Sequence, residues 1–490
     1  MSEAENIRKA RRSEAWRDEL RKAISVKDRM QIVRGKMAEE APDVRNKSNI
    51  EVNKGFTKEQ ALVEAKRCID CPTPTCITGC PVEISIPDFV KQIELGNFID
   101  AAQVIKETSS LAAVCGRVCP QERQCEKECF YTIKKQGEPV AIGNLERFVA
   151  DYERENGKQT VPPIKKNGMK VAVVGSGPAG LSFAGDMAMR GYEVSVFEAL
   201  HEIGGVLKYG IPEFRLPNNV IDHEINYLKM LGINFETNVI VGKTLTIDEL
   251  QELGYKAVFV GSGAGLPKFM NIPGENMVGI FSANEYLTRI NLMGAGREGY
   301  DTPILKGKNI AIIGGGNTAM DAVRTAKRQG AERAMIVYRR SLEEMPARLE
   351  EIHHAKEEGI EFMCLTNPVS YIGDEKGKVK EMIVQKMELG EPDASGRRAF
   401  KAVANSEYTI PVDLVIVSVG VSPNPIIQQS VKGLKISKWG TIEVDENTME
   451  SNVSMLYAGG DIVRGGATVI LAMGDGKKAA KAMDEKLSAK

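Results

Sequence analysis

Two stretches of this chain share one pattern, and that pattern limits the fold more than any other feature. In each, an apolar β-branched run breaks on clustered glycines and then reads as helix. The first is MKVAVV (169–174), followed by Gly175-Ser176-Gly177-Pro178-Ala179-Gly180 and LSFAGDMAMRG. The second is NIAII (309–313), followed by Gly314-Gly315-Gly316-Asn317-Thr318-Ala319. A buried parallel strand, a tight glycine turn and a helix whose N-terminus meets a pyrophosphate make the phosphate-binding corner of a doubly wound unit. Further β-branched runs at 192–198, 256–263 and 413–420 read as additional buried parallel strands. The sequence therefore predicts an α/β chain with two Rossmann-like nucleotide-binding units. Gly175, Gly177 and Gly180 in one, and Gly314, Gly316 and Ala319 in the other, are expected at the phosphates. A turn without a ligand is the plain alternative for either motif alone, but strand, turn, helix and second strand here occur in register.

The two units differ where their second strands end. GYEVSVFEA ends in Glu198, a carboxylate that accepts hydrogen bonds from ribose hydroxyls and repels a 2′-phosphate. AMIVYRR ends in Arg339 and Arg340, whose guanidinium groups neutralise a 2′-phosphate and bind it bidentately. Paired surface arginines ordinarily serve solubility; their place within the unit favours NADP(H) over NAD(H). The contrast assigns FAD to the first unit and NADPH to the second.

Cysteine usage is uneven: eight of nine lie between Cys68 and Cys129, and Cys364 stands apart. One run is Cys68-x2-Cys71-x4-Cys76-x3-Cys80-Pro, and the other is Cys115-x3-Cys119-x5-Cys125-x3-Cys129. Thiolates so spaced converge on soft metal centres, and a terminal Cys-Pro suits iron–sulfur ligation with ligands interleaved between runs. Spacing alone proposes two four-cysteine sites. Structural zinc is the alternative, although only Cys68 and Cys71 have the commonest zinc-pair spacing.

At 490 residues the chain needs two to four domains. A net charge of −1 gives no overall pull toward nucleic acid or anionic membrane. No apolar run approaches the ~18 residues that span a bilayer. The N-terminus carries no apolar segment behind its charges, so no secretory signal is expected and the predicted location is cytoplasmic, where thiols stay reduced. Residues 7–40 suit charged amphipathic helix, either solvated or packed on a partner. Residues 154–168 read as a linker. His353-His354 are expected at the surface and Cys364 as a small buried residue.

With these motifs the chain resembles the glutamate synthase (NADPH) small-subunit family. That family also takes in the N-terminal half of dihydropyrimidine dehydrogenase and the large subunit of NADH-dependent reduced ferredoxin:NADP oxidoreductase. The resemblance spans nearly the whole chain. GIPEFRLP (210–217) and Met345-Pro346-Ala347-Arg348 through HHAKEEG look closer to the ferredoxin:NADP branch and to archaeal-type chains called glutamate synthase. The resemblance implies two [4Fe–4S] clusters. One would sit on Cys68, Cys71, Cys76 and Cys129. The other would sit on Cys80, Cys119, Cys125 and Glu146, since Gly143-Asn144-Leu145-Glu146 matches the family's ligand motif. Cys115 is then a neighbour only. It further implies that residues 204–217, with Gly205, face the flavin. Gly459-Gly460-Asp461 would bring Asp461 to the ribityl and phosphate region, and a helix would start near Ala467 beside the ring.

The implied layout is an N-terminal α-helical iron–sulfur domain (1–155), an FAD domain (169–300 plus 441–490) and an NADPH domain (301–440) that interrupts it, as in glutathione reductase. The implied function is hydride exchange between NADP(H) and FAD, with single electrons passing through both clusters to a second redox subunit. Ferredoxin is a further candidate acceptor, and bifurcation stays open. One alternative is the small subunit of a glutamate synthase, feeding a large subunit with a catalytic cysteine and an FMN barrel. With the sequence starting MSEAEN, no catalytic cysteine is expected near its N-terminus, and too few residues are expected to remain beside these domains for a barrel of ~250. A second alternative is a non-catalytic zinc- and nucleotide-binding module. No catalytic acid or base is assigned, because hydride transfer to flavin needs stacking and orientation.

Overall fold

Valine- and isoleucine-rich runs require cover on both faces, and they find it in two five-stranded parallel sheets. This computed structural model describes residues 3–157, 159–392 and 397–489. The first sheet runs Leu456–Ala458, Tyr255–Val260, Lys170–Val174, Glu193–Phe197, Asn234–Glu236. The second runs Ile280–Ser282, Leu414–Val417, Asn309–Ile313, Arg333–Tyr338, Glu361–Cys364. Every pairing in both is parallel. In each sheet the strand before the glycine turn is central, and the turn opens into a helix: Pro178–Met189 after Gly177, Asn317–Arg328 after Gly316. That centre is where strand order reverses, the place where such sheets bind ligands. An antiparallel sheet of Thr366–Gly373, Val379–Pro392, Arg398–Ala402 and Tyr408–Pro411 extends the second unit.

The chain crosses between sheets at Leu266–Pro267 and returns at Val421–Ser422, and these two short strands pair antiparallel. Both crossings precede the positions 300 and 440 read from the sequence. Ile280–Ser282 joins the second sheet, and Tyr286, Leu287 and Ile290 pack in its core. Ile427, Leu434 and Ile442 pack instead with the first sheet. A three-residue edge strand carries too little pattern to announce itself.

The N-terminal domain is helical, built on Lys58–Lys66, Ile86–Leu95, Phe98–Lys106, Ala112–Val118 and Ile142–Asn156. It shares one continuous core with the first sheet, in which Phe89 and Leu145 join Phe183 and Met473. The charged helices Glu3–Arg12, Ala15–Ala23 and Val26–Gln31 pack on this domain rather than standing in solvent. Arg17, 2% exposed, donates to Asp70 at 3.0 and 2.6 Å and to Asp88. Arg29 grips Glu94 at 3.0 and 2.8 Å. No helix among the described residues is long and apolar enough to cross a membrane.

Candidate redox site

A cavity of about 1700 Å³ opens between the two parallel sheets, lined by both glycine turns. Small-molecule pockets usually hold roughly 300–1,000 Å³, so this one has room for two nucleotides. Gly175, Gly177, Glu198, Gly205, Gly460 and Asp461 line one region of it; Gly314, Gly316, Arg339 and Arg340 line another. Gly180 and Ala319 sit just behind the turns. A Cβ at Gly180 would lie 2.0 Å from the Gly175 carbonyl oxygen, so glycine there permits close strand–helix packing. At Gly316 nothing lies within 4 Å of a Cβ position, and at Gly177 the nearest atom is 4.0 Å away. These open faces at helix N-termini leave backbone N–H groups accessible to phosphate.

Around the first turn the polar groups are already oriented. Glu198 accepts from the Ser176 N–H and the Leu200 N–H, both at 2.9 Å, and from the Ser176 hydroxyl. A carboxylate has about four lone-pair sites, so capacity remains for ribose hydroxyls. Asp461 accepts from the Ala467 N–H at 3.0 Å. Burial, opposed by that bond and aided by Asp475, pushes its pKa up to about 6. Tyr209, on the 204–217 segment, also lines the cavity. Burial, then the charges of Asp461 and Glu198, push its phenol up to about 12.

The second turn faces cations. Arg339 and Arg340 both stack against Phe400, with guanidinium carbons 4.2 and 5.1 Å from the ring centroid. Arg397 and Phe400 line the same cavity. Burial lowers the Arg339 pKa, and the charges of Arg340 and Arg397 lower it further. Sequence reasoning missed Arg397 and Phe400, because they lie in a polar, charged stretch with no glycine-turn or apolar strand pattern to mark it. The repeated Arg-Arg beside an aromatic was the available signal.

The thiols fall into two groups. Burial raises Cys76 far above the usual thiol range, and Cys68, Cys129 and Cys71 raise it further. Cys71 is pushed up to about 12 by burial, then by Cys68 and Cys129. In the other group, burial raises Cys125, followed by Glu126, Cys80, Glu146 and Cys119. Glu146, 6% exposed, has an Oε1 with no hydrogen-bond partner among the described residues. Burial and Glu224 push its pKa up to about 8. Thiols and a carboxyl crowded in a dry pocket become anions only around a cation, so both donor sets fit a metal centre. Cys115 lies beside the second set, hydrogen-bonded to Cys119 and 3.5 Å from the Met473 sulfur. Cys364 is half-buried at the end of strand Glu361–Cys364 and belongs to neither set.

The second thiol set borders the cavity. Val118, which lines it, immediately precedes Cys119. Val469 and Ala472, at the start of helix Val469–Ser488, line it too. A Cβ at Gly474 on that helix would lie 2.9 Å from the Pro81 carbonyl oxygen, next to Cys80. The 345–348 segment ties the same thiol loop to the second glycine turn. Ala347 N–H donates to the Gly315 carbonyl at 3.2 Å, and Arg348 N–H to Asn317 Oδ1 at 2.9 Å. The Arg348 side chain donates to the Arg117 carbonyl and, at 2.8 Å, to Gln121 Oε1. His354, expected at the surface, is 1% exposed with Nε2 3.1 Å from Glu39 Oε2. A helix with charges on every face concealed which side would be covered.

A family model for pyridine nucleotide-disulphide oxidoreductases matches residues 169–476. A second, for dihydropyrimidine dehydrogenase domain II with its 4Fe-4S cluster, matches 45–158. The chain is 37% identical over 445 residues to the glutamate synthase [NADPH] small chain of Escherichia coli strain K12, covering 89% of this chain and 93% of that one. It is also 37% identical over 442 residues to the NADP(+)-dependent formate dehydrogenase subunit beta of Moorella thermoacetica, covering 85% of this chain and 60% of that one. Among solved structures, Mycobacterium tuberculosis FprA in complex with NADPH shares the fold, with a TM-score of 0.55 at 22% identity over 66% of this chain and 85% of its own.

Proposed function

We propose that this chain, which belongs to the pyridine nucleotide-disulphide oxidoreductases and to the glutamate synthase small-chain family, exchanges hydride between NADP(H) and FAD and passes single electrons through two [4Fe–4S] clusters to a second redox subunit. The observation that carries it is one cavity with a carboxylate region, a cation region and a wall that backs onto one of two thiol groups. Bound there, a flavin would supply the change from two-electron to one-electron chemistry, and the clusters would carry the single electrons.

The chain's residues bind and orient. Glu198 takes ribose hydroxyls, and the helix starts at Gly177 and Gly316 take the pyrophosphates. Asp461 and Gly460 would take the ribityl side of a bound flavin, and Gly205 and Tyr209 line the same region of the cavity. Arg339 and Arg340 hold the 2′-phosphate. Cys68, Cys71, Cys76 and Cys129 hold one cluster; Cys80, Cys119, Cys125 and Glu146 hold the other; Cys115 stays a thiol. Val118 and Val469 keep water from the wall between cavity and thiols. Residues 1–155 form the cluster domain, and the NADPH unit interrupts the FAD unit.

The favoured partner is a second redox subunit of ferredoxin:NADP oxidoreductase type, and the same FAD would then be the place for bifurcation. Coverage of 93% of a glutamate synthase small chain supports the second reading, in which a glutaminase/FMN subunit receives the electrons. Co-purification of the native complex separates the two by the identity of the second chain. For the nucleotide, Arg339→Ser with Arg340→Ser removes charge-assisted contacts worth about 1.5–3 kcal/mol each. NADPH should weaken roughly tenfold or more while NADH is little altered, measured by steady-state kinetics. An unchanged preference would refute the NADPH assignment.

A further inference from the structure

The geometry points to a second specificity element for the same nucleotide, outside the doubly wound unit: the Val379–Pro392/Arg398–Ala402 hairpin delivers Phe400 as a platform that positions Arg339 and Arg340, and Arg397 as a third cation on the 2′-phosphate. This rests on the NADPH assignment above and deepens it.

Phe400 has no core to serve. Its strand is exposed throughout, and the ring itself is 37% exposed, in register with Leu389. What meets it is a pair of guanidinium groups, at 4.2 and 5.1 Å from its centroid. A guanidinium stacked on a ring directs its N–H groups sideways in the plane of the fork, the geometry in which arginine meets a phosphate, and the ring quadrupole lowers the cost of bringing cations together. The hairpin is fastened where this matters. Arg340 Nε donates to the Arg398 carbonyl at 2.7 Å. The Arg398 N–H and Nε donate to Glu344 Oε1 at 3.1 and 2.9 Å. Arg397, Arg339, Arg340 and Phe400 all line the nucleotide cavity. Burial lowers the Arg339 pKa first and the charges of Arg340 and Arg397 lower it further, and a dianionic phosphomonoester placed among these cations opposes that repulsion. A nucleotide without the 2′-phosphate gains nothing from the arrangement, so the hairpin discriminates between the two dinucleotides rather than binding both better.

The test uses the complete holoprotein and two probes, adenosine 2′,5′-bisphosphate and 5′-AMP, in calorimetric titrations beside NADPH and NADH kinetics. Phe400→Ala should weaken the bisphosphate and raise the NADPH KM by roughly threefold to thirtyfold, the effect falling on KM rather than kcat. 5′-AMP and NADH should move little, and Phe400→Tyr should restore the parent values. Arg397→Ala should weaken the bisphosphate similarly. Equal losses for both probes would mean that the hairpin only supports the fold, and would overturn the inference. An unaltered bisphosphate affinity in both variants would overturn it as well. If the Arg339→Ser, Arg340→Ser protein still loses NADPH preference in that case, the nucleotide assignment stands and only the hairpin's role fails. If that protein too is unchanged, the assignment fails first.

Discussion

Glu146 is a buried carboxyl whose Oε1 has no hydrogen-bond partner among the described residues, in a pocket where burial pushes it up to about 8. Leaving such a group unsatisfied costs about 1–3 kcal/mol, which ligation to a metal centre would recover. Its surroundings are shaped for it: a Cβ at Gly143 would lie 2.2 Å from Gln121 Nε2, so the Gly143 end of that motif admits no side chain. Glu146→Ala should lower iron from about eight per chain toward about four, change the EPR signature of one cluster and leave FAD bound. Acid-labile sulfide and iron assays on anaerobically purified protein check this. Full iron with an unaltered spectrum would remove Glu146 from the ligand set, and stoichiometric zinc without sulfide would remove the clusters. Spacing alone would choose Cys115 as the eighth ligand. Its place against Met473 and Cys119 is not legible from spacing, because a thiol that packs and a thiol that ligates look alike in sequence.

Helices and strands were legible in proportion to how far their pattern departs from a generic surface. Lys170–Val174 and Asn309–Ile313 stood out because β-branched runs ending in glycine have few other uses. The edge strand Ile280–Ser282 did not, and neither did the partners of buried arginines, since an ion pair under a core reads as two surface charges. Helix Leu349–Glu357 with Glu358 after it shows the consequence. Glu358 accepts from Arg45 at 3.1 Å, Arg324 at 2.8 Å and Arg328 at 2.8 Å, joining the N-terminal segment to the second unit. Burial opposes its charge, yet the hydrogen bonds and charges of Arg328 and Arg324 hold its pKa down at about 2. Glu351, against the same burial, is held at about 2 by Arg215 and Arg324. Both folded-state values lie below the ordinary carboxyl value of 4.5. Their stabilisation is therefore complete above about pH 4.5 and lost as pH falls toward 2. Glu358→Gln strands buried guanidinium groups and should cost about 3–5 kcal/mol at pH 7, while flattening the acid loss. Thermal unfolding from pH 7 to 3 reads both, and a variant that melts with the parent and keeps its acid slope would contradict the reading.

At the scale of the whole molecule, buried ion pairs and hydrogen bonds join the two nucleotide units and the thiol loop around one cavity. Arg215 binds Asp321 at 2.7 and 2.8 Å across the two sheets' units, and Arg348 ties the second unit to the thiol loop. On the proposed reading, this arrangement supplies what dye reduction by NADPH requires but not what glutamate synthesis requires. Release of ammonia from glutamine needs a nucleophile held as an anion or activated by a base. Eight cysteines fall in the N-terminal thiol region, and burial raises the ninth, Cys364, away from the thiolate form. Reduction of the iminium of 2-oxoglutarate would need a further hydride site. The described strands are taken up by two parallel sheets, one antiparallel extension and the crossing pair, none of them an eight-stranded barrel. The pure chain, reconstituted anaerobically with FAD and clusters, should therefore reduce artificial acceptors from NADPH and form no glutamate from glutamine and 2-oxoglutarate. Adding a glutaminase/FMN partner, if that is the native one, should restore glutamate formation without altering dye reduction. Glutamate appearing from the chain alone, at a rate comparable with dye reduction, would mean that a complete synthase site exists within these residues.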